Sequence, residues 1–168
     1  MRGENNQTYD DWVNSESWTR GQSVEDQFGK ALRKIYPEAY ASSYQNQFNH
    51  IDWICDKGTI DVKAIKKINR MGSLDGSIIW IEFKNGIGED GWILGEQDWI
   101  AFEMKDHFKM CRTKEVRDLA YSLCDLDNLV DKAEHALYKG YSRKNRKDLL
   151  SMIKASDLSE IECQILQK

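Results

Sequence analysis

Two short apolar runs, Ile51-Asp52-Trp53-Ile54 and Thr59-Ile60-Asp61-Val62-Lys63-Ala64-Ile65, flank the turn-forming residues Asp56-Lys57-Gly58. Runs of this length around such a signal specify a β-hairpin, with its tip expected at Lys57-Gly58. No other segment constrains the fold as tightly, because strand side chains alternate between faces. Asp61 and Lys63 must share a face. If Asp56 opposes Thr59, Asp52 falls opposite Lys63 on that same face, whereas a three-residue loop would turn it away. Two carboxylates and an ammonium are thereby pressed onto one half-buried surface.

The flanking segments supply an α/β frame. Ser23, with Asp26 three residues later, is a weak capping box. Val24, Phe28, Ala31, Leu32 and Ile35 then recur at helical spacing up to Pro37. Glu25 stands at the border of that stripe. Residues 78–84 read as a central strand covered on both faces, and residues 98–103 as a further strand headed by Asp98. Between them, residues 85–95 hold Gly86, Gly88, Gly91 and Gly95, which mark a long loop, with or without a short strand at Trp92-Ile93-Leu94.

From Thr113 onward the pattern reads as mainly helical, with one stripe at Val116, Leu119, Ala120 and Leu123 and another at Leu149, Leu150 and Ile153. The chain of 168 residues is expected to form one domain. Residues 1–21 would be a mobile arm pinned by Trp12 and Trp18, residues 22–112 the core, and residues 113–168 a helical C-terminal extension.

Several function classes are disfavoured. No apolar run has the length of a membrane span, and the N-terminus lacks the apolar centre of a signal peptide, so a cytoplasmic protein without membrane partners is expected. Cys55, Cys111, Cys124 and Cys163 form no CxxC pair and read as reduced thiols. A net charge of −4 argues against coating nucleic acid by bulk attraction. Charge is local instead: Lys63, Lys66, Lys67 and Arg70 form one basic island. Lys139, Arg143, Lys144, Arg146 and Lys147 form another, interleaved with Tyr138 and Tyr141. Both are candidate contacts to a nucleic-acid backbone.

Gathering Asp52, Asp61 and Lys63 costs hydration and sets two acids against each other. A divalent cation offsets that cost, and hard carboxylate oxygens suit Mg²⁺ or Mn²⁺. The lysine then stands where it can assist a water nucleophile or stabilise charge developing at a phosphate. Glu82 is a further candidate ligand, expected beside Asp61 on the adjacent strand. Glu82-Phe83-Lys84 also offers a competing register in which it supplies the second motif. His50, next to the first acid, is a candidate phosphate contact.

This set resembles the PD-(D/E)xK nuclease superfamily, which includes restriction endonucleases and Holliday-junction resolvases. Glu25 corresponds to the family's helical acid, Asp52 to its first strand acid, Asp61 to its second and Lys63 to its lysine. The likeness covers roughly residues 22–105. The run containing His50-Ile51-Asp52, Ile60-Asp61-Val62-Lys63, Trp80-Ile81-Glu82 and Gly91-Trp92-Ile93 is similar to small phage and virus members. Ile51 replaces the proline that usually precedes the first acid.

The resemblance implies a restriction-endonuclease-like core and Mg²⁺-dependent hydrolysis of DNA leaving a 5′-phosphate, in host cytoplasm if phage-encoded. It also makes a homodimer the arrangement to look for where two strands are cut. The alternative is a catalytically silent viral protein on the same fold, which occupies nucleic acid or inhibits a host defence enzyme.

Overall fold

The structure, a computed structural model, describes residues 16–47 and 49–168. Its first element, α1 (Glu16–Arg33), begins seven residues before the expected cap at Ser23. Glu16 in the first turn and Lys30 and Arg33 in the last complement the helix dipole, so the longer helix has better-suited ends. The expected arm at residues 1–21 is therefore helical from Glu16, and its remainder, with Trp12, lies outside the described residues. Val24, Phe28, Ala31 and Leu32 are buried as their spacing requires, but Ile35 falls beyond the last turn and is 46% exposed.

Strands β1 (Tyr40–Ala41), β2 (Trp53–Cys55), β3 (Gly58–Lys63), β5 (Trp99–Glu103), β6 (His107–Arg112) and β10 (Cys163–Gln167) form one sheet in the order β1-β2-β3-β5-β6-β10. A short helix, α2 (Tyr44–Gln47), links β1 to β2. The β3–β5 pair is parallel and the other pairs of this sheet are antiparallel. Strands β4 (Ile78–Lys84), β9 (Leu149–Lys154), β8 (Lys139–Tyr141) and β7 (Asp125–Val130) form a second sheet in that order. Helix α3 (Thr113–Leu123) follows β6.

Alternation divides the core between the two faces of the larger sheet. Ile60 and Val62 of β3, Ala101 of β5, and Phe108 and Met110 of β6 pack with the α1 stripe, Phe28 meeting Phe108 edge-on at 5.2 Å. Ile100, Phe102 and Cys111 belong instead to a core shared with Ile81 and Phe83 of β4, Ile153 of β9, and Val116 and Ala120 of α3. The α/β class is as expected, with both faces of the larger sheet covered.

The C-terminal third differs from the helical expectation. Only Thr113–Leu123 is α-helical there among the described residues, and β7 to β10 make up most of the rest. Leu149, Leu150 and Ile153 lie on β9, where Ser151, Met152 and Ile153 are all buried. A strand covered on both faces shows a continuous run that mimics a helical stripe. Nor is the segment an appendage, since β9 pairs with β4 and β10 closes the larger sheet against β6.

Trp92-Ile93-Leu94 forms a 3₁₀ turn rather than a strand, burying the consecutive Trp92 and Ile93. Cys111 and Cys163, register partners on β6 and β10, are joined by a disulfide, leaving Cys55 and Cys124 as free thiols. That corrects the reading of four reduced cysteines: strands distant in sequence bring this pair together.

Candidate metal centre

The hairpin turns one residue earlier than its sequence suggested. Cys55 opposes Gly58, so the turn is Asp56-Lys57. Gly58 has φ +121°, a conformation that side-chain-bearing residues rarely adopt, and it begins β3 instead of forming the tip. Asp98 locks this arrangement, its Oδ2 accepting from the Thr59 N–H at 2.9 Å and the Thr59 hydroxyl at 3.1 Å. Asp98 is thus a hairpin brace.

Regular pairing of β2 with β3 stops at Trp53–Ile60. Asp52 therefore does not oppose Lys63 as expected. Its N–H donates to the Ile60 carbonyl at 2.8 Å and its Oδ2 accepts from the Val62 N–H at 2.8 Å, which places it abreast of Asp61. Convergence survives because β3 holds Asp52 on either side of Asp61, its backbone at Ile60 and its carboxylate at Val62.

On β3, Asp61 and Lys63 lie beside Ile100 and Phe102 of β5, hence on the face turned toward the second sheet. Lys63 Nζ is 2.9 Å from Asp61 Oδ2, with side chains 19% and 3% exposed. The ammonium also sits 5.1 Å from the centre of the Trp92 ring. Although it lies within ion-pair distance of Lys63, Asp61 Oδ2 has no aligned hydrogen-bond donor. It is a buried carboxyl oxygen with unused coordinating capacity.

The electrostatics follow from burial and crowding. Loss of hydration, then the Asp61 charge, raises Asp52 to about 7, against relief from Lys63 and the Val62 N–H. Asp61 is also raised by burial, which outweighs Lys63 and a proton-sharing contact with Asp52. Burial opposes the charge on Lys63, yet Asp61 and then Asp52 hold it above the ordinary lysine value. Glu25, half-buried on α1, is raised to about 8 by desolvation and then by Asp52, with Lys63 pulling the other way. Its backbone is seated by Trp53, whose indole N–H donates to the Glu25 carbonyl at 3.1 Å.

Glu82 is not on the strand next to Asp61. That neighbour is β5, and Glu82 lies on β4 in the second sheet. The same separation removes Glu82-x-Lys84 as an alternative second motif on this sheet, and Lys84 is exposed. The Glu82 charge nonetheless reaches Lys63, His50 and Lys66 from across the site. His50 takes a left-handed backbone, φ 59°, two residues before Asp52, and is lowered by burial and then by Lys63. Glu103, which heads the triplet Glu103-Met104-Lys105, serves architecture: it accepts from Arg20 at 2.6 Å, Lys168 at 3.1 Å and the Ile65 N–H at 2.8 Å.

Of the basic islands, Lys66, Lys67 and Arg70 follow β3 on an exposed segment. Arg143, Lys144, Arg146 and Lys147 lie on the loop between β8 and β9, not on a helix. The islands meet, since Arg143 is among the charges acting on Lys66. Lys66 is solvent-accessible yet crowded, and is lowered first by lost hydration and then by Lys63. Buried Asp148 fixes the Arg143 end of that loop, accepting from its N–H at 2.8 Å and from its guanidinium. Tyr138 is structural, donating to Asp157 at 2.7 Å, whereas Tyr141 packs on Trp80 with ring centres 5.9 Å apart. Trp92 is the site residue that sequence reasoning passed over; its place in a glycine-bounded loop was the available signal.

Among the described residues, no three His, Cys, Asp or Glu side chains form a ready-made metal cage. Asp52 and Asp61 supply hard oxygen donors and one underused buried oxygen. That fits Mg²⁺ or Mn²⁺, because Mg²⁺ is usually held by one or two carboxylates and keeps several waters. No protein family, curated protein or solved structure matches this chain.

Proposed function

We propose that this protein is a metal-dependent deoxyribonuclease. The observation that carries the reading is the buried Asp61 oxygen beside half-buried Asp52 and Lys63, which leaves two crowded acids sharing one ammonium. Structural ion pairs usually balance one acid with one base and complete their hydrogen bonds; this cluster sets two acids on one base and leaves Asp61 Oδ2 without an aligned donor.

Asp52 and Asp61 are the residues that would hold Mg²⁺ or Mn²⁺, with Glu25 and Glu82 near enough in charge to act through a water or on a small rearrangement. A divalent ion there supplies an activated water and neutralises charge at a phosphodiester. Lys63, kept protonated by its two acids, offers a positive charge to the phosphate. Trp92 limits where its ammonium can move. Lys66 and Arg143 extend the positive surface from Lys63, a course along which a DNA backbone is attracted. The PD-(D/E)xK resemblance of Glu25, Asp52, Asp61 and Lys63 supports the same assignment.

The test incubates the purified chain with supercoiled, linear, single-stranded and four-way-junction DNA under Mg²⁺, Mn²⁺ or EDTA, beside Asp61→Ala and Lys63→Ala. Metal-dependent cutting lost in both variants is expected. No cutting of any substrate, with DNA binding retained by the variants, would overturn the enzyme and leave a silent nucleic-acid-binding protein.

A further inference from the structure

Met71 is 96% exposed, the most exposed of the large apolar side chains among the described residues. It stands at the tip of a small arm that leaves β3. Residues Lys67 and Leu74 form a bridge across the arm, and the Asp75 N–H donates to the Lys66 carbonyl at 3.0 Å. The tip closes when the Gly72 N–H donates to the Asn69 carbonyl at 3.2 Å, making Arg70 and Met71 the two central residues of the turn. Asn69 Oδ1 also accepts from the Met71 N–H at 3.0 Å. A turn so bonded holds its apolar residue outward.

The arm is braced from outside as well. Asn69 Nδ2 donates to Glu134 at 2.6 Å, and the Trp80 indole N–H donates to the Lys67 carbonyl at 3.1 Å. Both partners lie outside the larger sheet, on the second sheet and the segment beside it, so the arm is tied at tip and base. Leu74, 46% exposed, adds a second apolar residue. Lys66, Lys67 and Arg70 place three positive charges on the arm, against Asp75 at its base and Glu134 at the Asn69 contact.

A tethered apolar tip on an arm that carries three basic residues matches a chemistry used on nucleic acids. Basic side chains hold the phosphates while Met, Leu, Ile or Phe enters between base steps and partly unstacks them. Methionine suits that place because its unbranched, polarizable side chain adapts to the irregular gap between bases.

We infer that Met71 is a wedge that inserts into the base stack of duplex DNA and positions the strand held by Lys66, Lys67 and Arg70 against the carboxylate site. The inference rests on the nuclease reading for its substrate, and it can fail separately. The arm's first cross-contact, at Lys66, comes three residues after Lys63, and in this reading a duplex opened at Met71 presents a locally deformed backbone to Asp61 rather than a straight one.

The test uses the full chain, wild type and Met71→Ala, with Met71→Phe as a rescue variant. Short duplexes carry 2-aminopurine at staggered positions, with Ca²⁺ replacing Mg²⁺ while binding and base fluorescence are read. Cutting is then measured in Mg²⁺. Because Met71 touches no core, Met71→Ala should fold as the wild type does, checked by its melting curve.

A several-fold rise in 2-aminopurine fluorescence on wild-type binding, lost in Met71→Ala and regained in Met71→Phe, is expected, with a parallel several-fold loss of cutting. The same Met71-dependent rise without any cutting would keep the wedge and overturn the nuclease. Equal unstacking and cutting by Met71→Ala and wild type would overturn the wedge and leave the nuclease. Absence of DNA binding, or Met71-dependent capture by phosphatidylserine/phosphatidylcholine vesicles in its place, would overturn the wedge and assign the tip to another partner.

Discussion

Lys63 and Asp61 form one ion pair, but removing them has different consequences. Lys63→Met leaves buried Asp61 and half-buried Asp52 without their shared cation. It should destabilise the metal-free protein by about 3 kcal/mol, the scale of a broken buried pair, and Mg²⁺ should restore part of the loss. Asp61→Asn removes the underused oxygen and should abolish stabilisation by Mg²⁺. Urea titrations with and without the ion separate the two, and an Mg²⁺ response in Asp61→Asn equal to wild type would sink the assignment.

Titration gives an independent check at this scale. Asp52 at about 7 and Glu25 at about 8 keep protons in the folded state that the unfolded chain has released above the ordinary values of 3.8 and 4.5. The folded state then binds more protons, so metal-free stability should be greatest below about pH 4 as far as these groups decide it, and fall as pH rises to about 8. Since ligands must ionise to hold a metal, stabilisation by Mg²⁺ should grow across the same window. Melting temperatures from about pH 5 to about pH 9 measure both trends, and a metal effect independent of pH would contradict them.

At the scale of elements, α1 carries two glycines with opposite expectations. A Cβ on Gly21 would meet nothing within 4 Å, so Gly21→Ala should stabilise the helix by up to about 1 kcal/mol. A Cβ on Gly29 would stand 2.0 Å from the Trp53 ring, a packed and rigid neighbour. Gly29→Ala should therefore destabilise by about 1–3 kcal/mol despite alanine's better helix propensity, because overpacking exceeds the propensity gain. Trp53 also holds the Glu25 carbonyl, so this variant should lower DNA cutting as well, while Gly21→Ala leaves it unchanged. Chemical denaturation beside the DNA assay reads both effects.

For the whole molecule, closure of the larger sheet by β10 matters most. The Cys111–Cys163 bond spans 52 residues that include α3 and all of β7, β8 and β9. In the chain-entropy account, a loop of that length stabilises by about 4 kcal/mol relative to the reduced unfolded chain. Reduction, or paired Cys111→Ala and Cys163→Ala substitution, should lower the urea midpoint accordingly. An unchanged midpoint would show that the sheet closes without the bond. Glu103 secures the same closure by joining Arg20 of α1, the Ile65 N–H after β3 and Lys168 beyond β10.

Local pattern was enough to specify the α1 stripe, the hairpin and the shared face of Asp61 and Lys63, because these depend on near neighbours and on the fixed periods of helix and strand. The exact turn was not legible in that pattern, since Asp98, 39 residues from Thr59, braces it. Strand β9 could not be told from a helix, because burial on both faces erases alternation. The sheet holding Glu82, the partner of Cys111 and the meeting of Lys66 with Arg143 were decided only by tertiary structure. Each joins segments far apart in the chain, and which strand lies beside which depends on how the whole core closes.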